Sequence, residues 1–227
     1  MSLAVRATAE EQMDDPALPP ETYAAVLRDL AQVNRLTWAA RPTLAFLDRA
    51  LAGRRHVRLL DVGFGQGDML RAIARWAGKR GIACELVGVD LNPGSRAVAE
   101  AATPATMPIR YVTGDYRDQP GFDVVVSSLV AHHMSAAELT DFLAFMEREA
   151  RVGWMVNDVH RLWFAHMGFP LLATAMRWHP IVRADGRLSI ARGYRAAEWA
   201  PLLADAGVTE AQVVRRFPFR LCVERRR

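Results

Sequence analysis

The segment HVRLLDVGFGQG, residues 56–67, contains the signal from which the architecture follows. Its first seven residues are rich in apolar and β-branched side chains, which predict a buried strand. Three glycines then follow at alternate positions, Gly63, Gly65 and Gly67. Glycines allow a tight turn whose backbone a ligand can approach without meeting a Cβ atom. The segment therefore predicts a strand followed by a turn that is suited to ligand binding.

Downstream of this turn, short apolar runs alternate with helical patterns. Such alternation predicts an α/β fold with a Rossmann-like, doubly wound and mostly parallel sheet of seven strands, covered by helices on both faces. The last two strands, 209–217 and 219–224, predict a C-terminal β-hairpin. The other predicted strands are 56–63, 84–90, 109–115, 122–129 and 152–159, and helices are predicted at 68–79, 93–102, 161–178 and 196–206 and directly after Ser135.

The remaining segments divide the chain into three parts. Residues 1–19 are polar, acidic and proline-containing, and they are predicted to form a loose leader. Residues 20–55 carry apolar side chains at helical spacing and predict an N-terminal helical cap. Residues 56–227 form the main domain, with an apolar insertion at 161–195.

Composition excludes several classes of protein. The 227 residues are 51% hydrophobic and 24% charged, as in a globular chain that buries a large core. Only Cys84 and Cys222 are present, so a disulfide framework and a zinc cluster of cysteines are excluded. No apolar run approaches the roughly 20 residues of a membrane-spanning helix, and no signal peptide is recognisable, which predicts a cytoplasmic protein without stable membrane insertion. The arginines of residues 151–227 are interpreted as a solvated basic surface, and no nucleic-acid partner is predicted.

Acidic side chains follow the first three predicted strands. In a doubly wound sheet, ligands bind outside the carboxyl ends of the strands, near the switch in strand order. Asp61, Asp90 and Asp115 all stand at such ends, and the loop SSLVAHHM, residues 127–134, follows the fourth strand. A carboxylate such as that of Asp90 can accept hydrogen bonds from both hydroxyls of a ribose. The pattern predicts a nucleoside site at this edge of the sheet.

The G-x-G-x-G turn and the acids after the second and third strands resemble the class I S-adenosylmethionine-dependent methyltransferases of small-molecule type. The resemblance covers about residues 56–160 and implies S-adenosylmethionine as the cofactor. It implies that Asp90 holds the ribose hydroxyls and that Asp115 faces the adenine amino group. The cofactor-binding residues it implies are Asp61, Gly63, Gly65, Gly67, Asp90, Leu91, Asp115, Tyr116 and Ser127.

Histidines near the fourth and fifth strand ends are the candidate catalytic residues. Methyl transfer to a hydroxyl requires removal of its proton, and imidazole is the natural base at neutral pH. His132 and His133 lie in the loop beside the predicted cofactor site, and His160 is a third candidate. The alternative is that one of the paired histidines bonds a helix N-terminus or packs beneath the loop. Asn157 and Asp158 alone do not complete an oxygen cluster, so no metal is predicted.

These residues favour O-methylation of a small hydrophobic hydroxylated substrate, such as a phenol, quinol or polyketide. By the resemblance, the apolar insertion at 161–195 would cap that substrate. C-methylation of a similar molecule would give nearly the same sequence signals, and a non-catalytic cofactor-binding module also stays open. A NAD(P)-dependent oxidoreductase is a more remote alternative, because Arg75 stands four residues before Lys79, the only lysine, where short-chain dehydrogenases need tyrosine. The sequence specifies no oligomeric state.

Overall fold

The computed structural model describes residues 3–227, and its strands form one sheet. Across the sheet the order is β3, β2, β1, β4, β5, β7, β6, with β1 (His56–Val62), β2 (Ala83–Asp90), β3 (Ile109–Thr113), β4 (Phe122–Ser128), β5 (Ala150–Val159), β6 (Gln212–Arg216) and β7 (Arg220–Arg226). Strands β1 to β5 are parallel, and β7 pairs antiparallel with both β5 and β6. This confirms the predicted fold class and the C-terminal hairpin. The strand order reverses between β1 and β4, where such sheets bind ligands.

Helices connect the strands and begin at the expected caps. The Asn92 side chain accepts the Gly94 N–H at 2.9 Å, and Ser135 forms a capping box with Glu138. None of the helices within residues 3–227 is long and apolar enough to cross a membrane. The helices are α1 (Pro20–Leu36), α2 (Ala40–Ala50), α3 (Asp68–Arg80), α4 (Pro93–Ala102), α5 (Ala136–Glu149), α6 (Trp163–Ala175), α7 (Pro180–Arg192) and α8 (Ala196–Asp205).

The two faces of the sheet carry separate apolar cores. Consecutive strand residues point to opposite faces, so Leu60 packs with Phe142 and Trp199 of α5 and α8, whereas Leu59 packs with Ile73 and Phe46 of α3 and α2. All these side chains are fully buried. Helix α2, which the sequence places in the N-terminal cap, thus belongs to the layer that covers the sheet.

A third apolar cluster joins the first helix to the insertion. Val26 and Val33 of α1 pack with Ala173 of α6 and Val182 of α7. We call α1, α6 and α7 together the helical cap. Sequence periodicity does not reveal α7 as a separate helix, because its buried positions include charged as well as apolar side chains, among them Asp185 and Arg192. The cap covers the carboxyl ends of the central strands.

Residues 3–19 are held against this cap, in contrast to the loose leader that the sequence predicts. Asp185 accepts the backbone N–H groups of Gln12 and Met13 at 3.0 and 2.9 Å. The Arg6 guanidinium donates to the carbonyls of His132 and Met134 at 2.7 and 2.8 Å. These contacts join charged side chains to backbone groups. They need no periodic pattern of apolar residues, so the sequence does not reveal them. The segment brings further polar residues to the edge of the sheet where the strands end.

Candidate active site

A cavity of about 730 Å³ lies between the carboxyl ends of the parallel strands and the helical cap. Clefts of this size are typical of small-molecule sites. Its lining combines the turn after β1, the end of β2, the loop after β4 and apolar side chains of the cap. The sequence-predicted residues on its surface are Asp61, Gly63, Gly65, Asp90, Leu91, Tyr116, His132, His133 and His160.

The turn after β1 uses its glycines for backbone conformation and for close packing. Gly63 and Gly67 have φ values of +76° and +75°, in the left-handed region that glycine favours. A Cβ on Gly63 would lie 2.3 Å from Val130 Cγ2, and one on Gly67 would lie 2.4 Å from Tyr111 Oη. The turn can therefore lie directly against its neighbours, and it brings the Gly65 backbone to the cavity.

Replacing Gly63 with alanine is expected to destabilise the protein more than replacing Gly53, which has a φ of +78° and open space where a Cβ would lie. The left-handed conformation costs either alanine about 1–2 kcal/mol. The clash with stiff, β-branched Val130 adds roughly 1–3 kcal/mol at position 63 only. Urea unfolding of both variants measures this difference, and equal losses of stability would contradict the packing assigned to the turn.

Asp90 connects the end of β2 to the glycine turn. Its Oδ2 accepts the Gly65 N–H and its Oδ1 accepts the Asn92 N–H, both at 2.9 Å. Burial raises the pKa of Asp90, while the N–H groups of Asn92 and Gly65 and the hydroxyl of Ser95 oppose that shift. Each oxygen keeps a second lone pair, so the carboxylate can still accept hydroxyl hydrogens from a ligand. Leu91 beside it is 73% exposed and lines the cavity, which offers a flat base an apolar surface.

Asp115 and Tyr116, the predicted site residues that follow β3, differ in what they present to the cavity. The Asp115 carboxylate caps the following turn by accepting the Arg117 N–H at 2.8 Å, and only its neighbours Gly114 and Tyr116 line the cavity. The Tyr116 ring packs edge-on against Phe142 and Phe145, with centroids 4.9 and 4.8 Å away. That ring is part of the core and does not cover a bound base.

Two buried charges on the cavity surface have unmatched atoms. Asp61 Oδ2 and Arg220 Nη1 lack hydrogen-bond partners among residues 3–227. Burial, together with the nearby Asp68 and Asp90 carboxylates, raises the pKa of Asp61 well above its usual value. Asp61 in its ionised form supplies an acceptor and Arg220 supplies a donor, the two kinds of group that a zwitterion such as the amino acid part of S-adenosylmethionine needs. With the glycine turn and Asp90, the residues present fit that cofactor.

The strand β4 ends in two serines with opposite orientations. Ser127 is buried and donates to the Val62 carbonyl at 3.0 Å, so it does not line the cavity that it was predicted to contact. Ser128 does line the cavity, and its hydroxyl has no partner in the described part of the chain. The difference follows from strand geometry, because neighbouring residues point to opposite faces.

His132 is held in one orientation by a buried carboxylate. Its Nδ1 lies 2.7 Å from Asp158 Oδ1, and its backbone N–H donates to Asp158 Oδ2 at 2.7 Å. Burial would raise the pKa of Asp158, but His132 lowers it overall, so the carboxylate is ionised and accepts the Nδ1–H. Nε2 is then the free nitrogen, and it is buried on the cavity surface without a hydrogen-bond partner among residues 3–227. This is the arrangement of an oriented base.

His133 has the same kind of support from the N-terminal segment. Its Nδ1 lies 2.8 Å from Asp14 Oδ2, and its Nε2 lies 3.8 Å from Glu11 Oε2. Burial alone would lower the pKa of His133, but Asp14 and Glu11 raise it overall. Buried Arg192 fixes the loop by donating to the carbonyls of His132 and His133, each at 3.0 Å. The structure therefore brings both histidines together on a rigid loop.

His160 lines the same cavity but has no carboxylate partner among the described contacts. Burial and the nearby Arg215, Arg195 and Arg161 lower its pKa. Its backbone N–H donates to the Phe219 carbonyl at 2.9 Å, which joins β5 to the hairpin. Of the three predicted bases, His132 has the best-defined orientation.

Several polar residues of the site were not identified from the sequence. Glu11 and Asp14 precede the histidine loop by more than a hundred residues, and Arg220 lies in the terminal hairpin. No local pattern signals them. Asp158 lies near the end of β5, and that position is the one signal that could have associated it with the histidine loop.

The fold and the site define a class. The sheet has this strand order with an antiparallel hairpin at β6 and β7, a glycine turn follows β1, and an acid follows β2. These features agree with the resemblance of the sequence to class I S-adenosylmethionine-dependent methyltransferases. The family that the sequence resembles is thus supported at the level of a methyltransferase domain, which residues 59–153 match, and the cofactor of that class is S-adenosylmethionine.

Comparisons with known proteins agree with this class. Residues 59–153 match the family model of a methyltransferase domain. A probable fatty acid methyltransferase of Mycobacterium tuberculosis is 33% identical over 101 residues, which are 44% of this chain and 23% of that protein. The chain spans about a quarter of the length of this curated relative.

Solved structures share the fold at low sequence identity. Human N-acetylserotonin methyltransferase, crystallised with S-adenosylmethionine, superposes with a TM-score of 0.66 at 14% identity, over 92% of this chain and 56% of the human one. An S-adenosylmethionine-dependent methyltransferase of Aquifex aeolicus gives 0.63 at 17% identity, over 91% of this chain and 97% of that one.

Proposed function

We propose that the protein O-methylates a small, hydrophobic, hydroxylated substrate with S-adenosylmethionine as the methyl donor. The observation that carries the proposal is the free Nε2 of His132, which Asp158 directs while the same cavity also contains the glycine turn and Asp90. A base and a nucleoside site in one cavity are the two requirements for transfer to a hydroxyl.

Each part of the cofactor has a counterpart in the chain. Asp90 would hold the ribose hydroxyls, and the turn from Gly63 to Gly67 would border the ribose and the methionine part. Asp61 would pair with the ammonium group of the cofactor. Asp115 does not line the cavity, so it would reach the adenine amino group only from beside Gly114 and Tyr116. When bound, the cofactor supplies an electrophilic methyl group on a sulfonium sulfur.

The chain's own residues position the acceptor and remove its proton. His132 accepts the hydroxyl proton at Nε2, and ionised Asp158 stabilises the imidazolium through Nδ1. A phenol with a pKa of about 10 needs roughly 4 kcal/mol of assistance at neutral pH, which an oriented base can supply in part.

Apolar residues of the cap supply the rest of the substrate surface. Phe164, Phe169 and Leu172 of α6 face the cavity together with Leu27 and Leu30 of α1. The apolar surface of these side chains suits an aromatic ring or an alkyl chain, because each CH₂ group buried there contributes about 0.8 kcal/mol to substrate binding. This favours a phenolic, quinol or polyketide acceptor over a polar one.

Cofactor affinity is expected to fall as the pH is lowered. The raised pKa of free Asp61 means that it takes up a proton more readily than an ordinary carboxyl, and pairing with an ammonium restores the carboxylate. Binding therefore releases a proton once the pH is below that raised pKa. Calorimetric titration with S-adenosylhomocysteine at several pH values measures the effect. Asp61→Asn should reduce the dependence to the part that Asp90, whose pKa is also raised, contributes, and Asp118→Asn, at an exposed carboxylate, should retain it in full. An unchanged profile in Asp61→Asn would contradict the assignment.

The proposed activity is tested with methyl-labelled S-adenosylmethionine and a panel of alkylphenols, quinols and matched O-blocked analogues. The expected product carries a methoxy carbon, identified by carbon NMR, and the O-blocked analogues stay unmodified. A product methylated on carbon would contradict O-methylation and support the C-methylation alternative. Binding of NADH in place of S-adenosylhomocysteine would overturn the methyltransferase proposal.

A further inference from the structure

We infer that Glu11, His132 and His133 form a binding site for one divalent first-row transition-metal ion. Nothing in the sequence patterns indicated this site, because Glu11 comes from the N-terminal segment and the histidines from the loop after β4. One ligand atom of each residue lies within 4.8 Å of the other two. The three side chains meet on the surface of the cavity.

The distances approach those of a metal site. Ligand atoms at about 2.0–2.1 Å from a tetrahedral ion lie roughly 3.4 Å from one another. His132 Nε2 is 3.6 Å from Glu11 Oε1, and His133 Nε2 is 3.8 Å from Glu11 Oε2. These separations are too long for hydrogen bonds but close to the distance between two atoms that coordinate the same ion. Small shifts of the side chains bring each pair to the ligand separation.

Both histidines have the outer support that metal ligands characteristically have. His132 Nδ1 is 2.7 Å from Asp158 Oδ1, and His133 Nδ1 is 2.8 Å from Asp14 Oδ2. A carboxylate that accepts Nδ1–H fixes the tautomer with a free Nε2 and makes the ring a better ligand. Glu11 is itself oriented, since Ser189 donates to its Oε1 at 2.9 Å.

The unmatched nitrogen is an independent observation that points to a ligand. His132 Nε2 is buried and has no hydrogen-bond partner in residues 3–227, and the side chain is only 3% exposed. Glu11 is equally buried, with only 3% of its surface exposed. A buried carboxylate and a buried imidazole nitrogen without a bond between them are costly unless a third group joins them.

The local charge also favours a cation. Glu11, Asp14 and Asp158 contribute three carboxylates, and the guanidinium of Arg192 is 4.0 Å from Glu11 Oε1. Arg192 uses its donors on the carbonyls of Ala9, His132 and His133. Its donors therefore hold the loop, and its charge offsets only part of the charge of the three carboxylates.

The ligand types select the ion. Two imidazoles and one carboxylate suit Zn²⁺, Co²⁺, Fe²⁺ or Mn²⁺, whereas Mg²⁺ and Ca²⁺ prefer oxygen ligands. Three protein ligands leave coordination positions open toward the cavity, as in catalytic metal sites. Metal binding goes beyond the proposed function. Only the use of the ion rests on that function: when an ion is bound, His132 Nε2 is a ligand and no longer the base, and a hydroxyl bound to the ion would give up its proton to water at a lower pH.

The test is titration of the chelator-treated 227-residue protein with Co²⁺, followed by visible absorption, with no cofactor or acceptor present. One ion per chain and the intense bands of four- or five-coordinate Co²⁺ are expected. Glu11→Gln and His132→Ala should each weaken binding at least about 100-fold, and Asp158→Asn about 10- to 100-fold. Glu10→Gln and His56→Ala, at exposed neighbouring and remote positions, should bind as the wild type does.

Two results would overturn the site: no bound ion in the wild type, or equal binding in Glu11→Gln, His132→Ala and the wild type. An unchanged circular dichroism spectrum and an unchanged unfolding transition in Glu11→Gln show that the variant is folded. Failure of the proposed function appears differently, as a wild type that binds Co²⁺ through these residues but methylates no hydroxyl. Methylation by a protein that binds no ion would remove the metal site alone.

Discussion

Replacing His132 with alanine is expected to lower kcat for methyl transfer by about 10²- to 10⁴-fold, the usual contribution of a positioned base. Affinity for S-adenosylhomocysteine should stay close to that of the wild type, because His132 lies in the loop after β4 and not in the glycine turn. The loss arises at Nε2, the atom that Asp158 directs toward the cavity. Steady-state kinetics and calorimetry on the same preparation separate the two effects.

His56→Ala is the matched control, since His56 is exposed at the start of β1 and does not line the cavity. It should retain full activity. The expected fall in kcat of His132→Ala is the same whether this side chain accepts the hydroxyl proton or binds a metal ion that promotes loss of that proton. Wild-type turnover in His132→Ala would remove this residue from the mechanism and return the role of base to His133 or His160.

Replacing Asp90 with alanine is expected to weaken binding of S-adenosylhomocysteine about 10- to 100-fold, or roughly 1.5–3 kcal/mol for lost hydrogen bonds to a charged group. The variant loses the acceptor of the ribose hydroxyls and also the acceptor of the Gly65 N–H, which holds the glycine turn. Asp90→Asn retains the side-chain shape with an oxygen acceptor and should lose less. Calorimetric titration gives both affinities.

Asp118→Ala provides the control for this prediction, because Asp118 is exposed in the turn after β3. Asp115→Ala tests a separate point. Its carboxylate caps the turn at Arg117, so the expected loss is smaller than that of Asp90→Ala. Native affinity in Asp90→Ala would mean that the ribose binds elsewhere.

The central part of the site was predictable because its signals are local. The glycine spacing after β1 and the acid at the end of β2 each report a strand end and a turn within a few residues. Alternating strands and helices then place those ends at one edge of a parallel sheet. The capping box at Ser135 likewise marked the helix after the histidine loop.

Residues that depend on tertiary contacts were not predictable. Glu11 reaches His132 only because Asp185 and Arg192 hold the N-terminal segment, and these contacts span more than 170 positions in the chain. The two serines at the end of β4 show a second limit. A shift of the strand register by one residue moves each side chain to the other face of the sheet, so sequence alone could not decide between Ser127 and Ser128.

The proposed arrangement places the methyl donor beside the histidine loop in one cavity. A crystal structure of the protein with S-adenosylhomocysteine tests it most directly. We expect the ribose hydroxyls on Asp90, the amino acid part at the glycine turn near Asp61, and His132 Nε2 facing the remaining space. A nucleoside bound outside this cavity, or a cavity that binds a dinucleotide in its place, would contradict this arrangement.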